Sequence, residues 1–167
     1  MARRKTSSQL GAEISDALRT SARGRDRGRI DDYVAKYMAM LEVDGERPRV
    51  VLRDDRGAAW AGRTDWSADR PRATTMEFQR RFLGDDRFLE RVVAHEMVHH
   101  RNYLAGTEDE RHGPSFREGA ARINVVMGRD FVAERIVPPG SERALRTLAV
   151  GAVGFGLALL AGLLRRD

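Results

Sequence analysis

Hydrophobic residues change their spacing several times along this chain, and each change marks an element. Ile30, Tyr33, Val34, Tyr37, Met38 and Leu41 recur at helical spacing. Asp31 and Asp32 sit where the positive end of a helix dipole favours them, so the pattern predicts an amphipathic helix beginning near residue 30. Pro48–Arg53, Ala58–Gly62 and Ala73–Phe78 are short β-type runs, the first two separated by the turn-forming Asp54-Asp55-Arg56-Gly57. From Gly84 a helical pattern continues to Leu104, with Asp85 or Asp86 as its N-cap. A loop over 106–113 leads to a helix that starts near Pro114 and passes Ile123. A β-like stretch over 131–137 follows, and Pro138-Pro139-Gly140 ends the pattern. A small sheet set among helices, an α+β domain, is the architecture these runs predict.

Leu148–Leu164 (LAVGAVGFGLALLAGLL) is apolar throughout, with Arg143 and Arg146 before it and Arg165 and Arg166 after it. As a helix it rises about 25 Å against a bilayer core of roughly 30 Å, and the flanking arginines can reach the interfaces, so it reads as a short transmembrane helix. Gly154, Ala158 and Gly162 share one face in the spacing that lets membrane helices pack closely. A buried C-terminal core helix is the alternative reading. Met1–Ser21 holds no apolar segment of signal-peptide type. The expectation is therefore a C-terminal tail anchor with the domain on the cytoplasmic face of a membrane, a soluble cytoplasmic protein being the alternative. The expected organisation is a basic flexible arm over 1–28, the folded domain over 29–137, a linker over 138–147 and the membrane helix over 148–164.

A length of 167 residues allows one compact domain with appendages. The absence of cysteine excludes disulfides, zinc ribbons and thiol catalysis, so any metal must be held by His, Asp or Glu. The formal net charge is +5 and the pI about 10.3. Much of that charge gathers in the first 29 residues, where Arg3, Arg4, Lys5, Arg19, Arg23, Arg25, Arg27 and Arg29 stand against Glu13, Asp16 and Asp26. Such an arm suits nucleic acid or anionic lipid, or is merely solvated; charge does not choose among these. Phosphate-binding Gly-rich loops and a Gly-x-Ser-x-Gly elbow are both missing, which leaves nucleotide and serine-hydrolase readings without footing.

All four histidines fall between positions 95 and 112, and His95-Glu96-Met97-Val98-His99 spells H-E-x-x-H. Residues four apart project from one helix face, so both imidazoles can reach a single zinc ion. Glu96, one step round, can take a proton from water that the metal activates. Leu89, Val92, Val93 and Met97 form an apolar face that also holds Glu96. A carboxylate there is costly without a compensating metal or cation, which argues against a solvated helix with incidental histidines. Hydrolytic zinc usually has three protein ligands and an open position. His112 lies outside the helix at a Gly113-Pro114 corner, where Gly113 permits a sharp turn and Pro114 can begin a helix, and from there it could face His95 and His99. His100 points about 100° away from His99 and reads as core-facing. Trp60 and Trp66 either line a substrate groove or pack.

HEMVH, followed thirteen residues after His99 by HGPSF and then by Ala121-Arg122-Ile123-Asn124, resembles the SprT-like/Spartan family of zinc metallopeptidases. The resemblance covers roughly Arg29–Val137. It implies a small zincin-like domain of helices on a short sheet, with His112 as the third zinc ligand beside His95 and His99. It also implies hydrolysis of peptide bonds in protein substrates by zinc-activated water with Glu96 as general base. For some members it further implies work on DNA–protein crosslinks. Here the chain departs, having no cysteine zinc ribbon and an apolar C-terminal run instead. A rival reading, a membrane-anchored zinc scaffold without catalysis, needs the three ligands but not Glu96, which is intact.

Overall fold

The computed structural model describes residues 7–55, 57–66, 74–107 and 112–137. The chain divides into two units, Met1–Glu134 and Arg135–Asp167, and the fold described here is that of the first. Among the described residues no helix is long and apolar enough to cross a membrane. The run expected to do so, 148–164, and the linker 138–147 both lie outside them. The architecture is α+β: helices α1 (Ser7–Met40), α2 (Asp86–Leu104) and α3 (Pro114–Met127) with strands β1 (Arg49–Arg53), β2 (Gly62–Trp66) and β3 (Thr74–Gln79).

Ile30, Val34, Tyr37 and Leu41 bury their side chains as their spacing predicts. The helix carrying them does not begin near residue 30, however, and runs unbroken from Ser7. Residues 7–28, expected as a flexible arm, are thus helical. Ala, Arg, Leu, Gln and Glu favour helix without needing an apolar stripe, and pairs such as Arg29 to Asp26 at 2.7 Å and Arg27 to Asp31 at 3.3 Å add support.

The sheet has the order β1-β3-β2, with β1 parallel and β2 antiparallel to the central strand. One face of β3 buries Met76 and Phe78. On the other, the buried Glu77 is flanked by Arg53 of β1 and Arg63 of β2, and Arg63 Nε donates to its Oε2 at 2.9 Å. These guanidiniums, Arg53 first, hold the Glu77 carboxyl below its usual pKa despite burial. The second strand lies four residues later than the expected Ala58–Gly62. Gly62 and Asp65 are poor strand formers, and pairing with β3 sets the place of this strand: Gly62 opposes Phe78 and Thr64 opposes Met76. Gly62 is needed for this approach, since an added Cβ would lie 2.5 Å from Val92 Cγ1 on α2.

Helix α2 begins as expected, its N-cap Asp85 accepting from the Phe88 backbone N–H at 2.9 Å. Pro114 opens α3 and Gly128, at φ 104°, follows its last turn. The β-like stretch expected over 131–137 is not a strand. Backbone groups of 130–132 pair with side chains of Arg91 and Asn124 rather than with a neighbouring strand.

His100 lies within the core, its Nδ1 at 2.7 Å from the Thr74 hydroxyl. Burial pushes its pKa down to about 4, with a backbone group of Glu46 opposing in part. Because the folded value lies below the ordinary value of about 6.5, the unfolded chain takes up the proton first as pH falls. Metal-free protein is therefore expected to hold its stability above about pH 6.5 and lose it steadily towards pH 4. Urea unfolding across that range checks this, and a His100→Gln chain should show a shallower slope.

Candidate metal centre

Helix α2 is packed on nearly all sides, so its buried positions include polar ones: His95 is 8% and Glu96 5% exposed. One turn separates His95 from His99, and their ring centroids stand 5.1 Å apart. His112 comes from the corner before α3. There the left-handed backbone falls on the histidine itself, at φ 52°, while Gly113 has φ −68°. The sharp turn expected at Gly113 is therefore made one residue earlier, in a region that His enters more readily than β-branched residues do. The result puts the His112 ring 4.8 Å from that of His95 and 4.9 Å from that of His99.

Phe116, in the first turn of α3 and fully buried, sets the floor of this cluster. Its ring centroid lies 4.8, 4.9 and 4.3 Å from those of His95, His99 and His112. The H-G-x-x-F spacing signals this contact, because residues at the corner and one turn later share a face.

Each of the three histidines offers one ligand nitrogen, and these lie within 4.8 Å of one another. His99 Nε2 and His112 Nε2 are 3.0 Å apart, close to the roughly 3.3 Å between nitrogens held tetrahedrally at about 2.0–2.1 Å from zinc. His95 Nδ1 stands 2.9 Å from the carbonyl oxygen of Ala133. A carbonyl only accepts, so Nδ1 carries the proton and Nε2 keeps the lone pair a metal needs. Burial, then the neighbouring His99 and His112, pushes the His95 pKa down to about 3, with the Ala133 hydrogen bond opposing. Neutral imidazoles at such spacing could hold a metal ion, and zinc suits an all-nitrogen set of this size.

On the other flank of α2, Glu96 meets β2. The Thr64 hydroxyl donates to its Oε2 at 2.7 Å and lies 3.2 Å from its backbone carbonyl. Neither Thr64 nor Ala133 stood out in the sequence, since both act through contacts distant along the chain. His100 turns away from the three histidines to Thr74, as its helical angle predicts. Trp66 is 48% exposed and stacks on Tyr103 at 5.7 Å, while Trp60 lies under the Arg63 guanidinium. Both make packing contacts.

Fold and site together define an α+β domain with an H-E-x-x-H helix and a histidine cluster able to take a metal. The model of the SprT-like family matches residues 31–137, well over half of the chain, and the chain belongs to that family. No curated protein matches it in sequence.

Removing His112 is expected to weaken zinc binding by more than the roughly 10–100-fold that loss of an outer-shell partner costs. Competition between His112→Ala protein and a chelator of known affinity measures this. Zinc retained at wild-type strength would exclude His112 from the centre.

Proposed function

We propose that this chain is a zinc-dependent metalloendopeptidase that hydrolyses peptide bonds in protein substrates. The observation that carries the reading is the convergence of His95 and His99 from α2 with His112 from the corner before α3, and Glu96 lies on the same helix as the first two. When bound there, zinc would supply Lewis acidity, making water a stronger acid and polarising a substrate carbonyl. The three histidines would hold it as neutral donors, adding no negative charge to offset its own.

Glu96 is the general base. It accepts a proton from the attacking water as the C–O bond forms at the peptide carbonyl, then gives that proton to the amide nitrogen as the C–N bond breaks. The products are a carboxylic acid and an amine, and Glu96 returns to its starting state. Thr64 steadies the carboxylate for both transfers by donating to Oε2. Strand β2 ends the sheet on the side next to Glu96, so an extended substrate could add there by main-chain pairing and bring its carbonyl towards the base. A protein substrate, rather than a small molecule, fits that mode of binding.

A membrane setting follows if 148–164 inserts, and the arginines near the N-terminus then suit anionic lipid as well as DNA. The non-catalytic scaffold remains the rival, and Glu96 separates the two. Full-length protein and its Glu96→Ala variant would be incubated with a loosely folded basic DNA-binding protein, with and without single-stranded DNA, and followed by gel. The variant is expected to keep its zinc and to cleave about 10²–10⁴-fold more slowly. Zinc-loaded wild type that cuts nothing in either condition would favour the scaffold, and equal cleavage by both chains would remove Glu96 from the chemistry.

A further inference from the structure

Asn124 is the last residue of the Ala121-Arg122-Ile123-Asn124 run and takes no direct part in the centre described above. It lies on α3 and uses its whole side-chain amide on one residue of the following segment. Its Nδ2 donates to the Val132 carbonyl at 3.0 Å, and its Oδ1 accepts from the Val132 N–H at 2.7 Å. From α2, Arg91 donates through Nε to the Phe131 carbonyl at 2.9 Å and through a terminal nitrogen to the Asp130 carbonyl at 3.2 Å. The next residue, Ala133, supplies the carbonyl that receives the His95 Nδ1–H.

This segment is a turn, with left-handed backbone at Gly128 and Asp130, so no ladder of backbone bonds holds it in place. The side chains of Phe131 and Val132 are buried and fix its depth. Apolar contact is non-directional, however, and does not decide which way a peptide plane faces. The Asn124 bracket does decide it. One bond holds the peptide plane before the Val132 Cα and the other holds the plane after it, which leads directly into Ala133.

The geometry points to Asn124 as a positioning residue for the metal centre: through residues 130–133 it aims the Ala133 carbonyl that keeps the His95 proton on Nδ1 and frees Nε2 for a metal. The inference rests on His95 being a metal ligand. A neutral imidazole carries its proton on either nitrogen, and in the wrong tautomer the metal-facing nitrogen has no lone pair to give. Groups that orient a ligating histidine in this way are worth about 10–100-fold in metal affinity. Arg91 grips the same segment one and two residues earlier, so its share is smaller and of the same sign.

The test uses the full chain with ¹⁵N-labelled histidine. Imidazole nitrogen shifts of the metal-free protein report the tautomer, and chelator competition reports zinc affinity. Wild-type His95 is expected as a single Nδ1–H form. Asn124→Asp keeps the size of the side chain but turns a carboxylate oxygen on the Val132 carbonyl. It should mix the two tautomers and weaken zinc about 10–100-fold while circular dichroism stays that of wild type. Arg91→Met should shift both readings less in the same direction, and it carries the test if Asn124→Asp does not fold. A wild-type tautomer in both variants would overturn the inference, whether zinc affinity falls or not, since any fall would then come from general loosening. If a His95→Ala chain binds zinc as wild type does, His95 leaves the centre, and the tautomer spectra still decide what Asn124 does.

Discussion

A cation shared by three imidazoles requires all three to be uncharged, and for His95 that condition is met by taking the ring out of water. Its neighbours His99 and His112 add repulsion against a proton there, and Ala133 ties up the nitrogen that does not face them. The rest of the domain serves this arrangement. Helix α2 must lie deep enough to bury His95, so α1, β2, β3 and α3 close round it. Phe116 must fill the space beneath the three rings, which anchors the first turn of α3 against α2. Even the unfavourable backbone at His112 follows from the need to bring a third ring in from outside the helix.

The same burial creates the second half of the site. Glu96 is one residue on from His95 and shares its depth, so its carboxylate has to find partners within the protein. Strand β2 meets that need: Gly62 lets the strand come close, and Thr64 spends its hydroxyl on the carboxylate. A carboxylate buried this deeply and steadied by the Thr64 hydroxyl suits the proton transfers proposed for it.

Much of this was legible along the chain, and the exceptions have physical reasons. The helical period from Asp86 to Leu104, the N-cap at Asp85 and the Pro114 start of α3 are local properties, so they read directly from neighbouring residues. The pairing of His95 and His99 could be anticipated because they lie one turn apart, and the resemblance of HGPSF to the family's H-G-x-x-F element pointed to His112 as the third. Strand β2 was misplaced because Gly62 and Asp65 are poor strand formers, and its register comes from β3. Residues 131–137 looked extended because Phe131, Val132, Ile136 and Val137 are aromatic or β-branched. Side-chain amide and guanidinium groups nonetheless hold the first of them in a turn. The helical start of α1 offers only a thin apolar run, Leu10, Ile14 and Leu18 one turn apart, and the arginines and serines around it dominate the local pattern. Thr64 and Ala133 act across 32 and 38 residues of chain, a distance at which local pattern is silent.

Zinc X-ray absorption on the full chain, at one zinc per molecule, shows whether three imidazoles and no other side chain hold the metal. The expected spectrum shows a four-coordinate shell of three imidazole nitrogens and one oxygen at about 2.0–2.1 Å, with outer-shell scattering that counts three rings. Two rings, or a six-coordinate oxygen-rich shell, would contradict it.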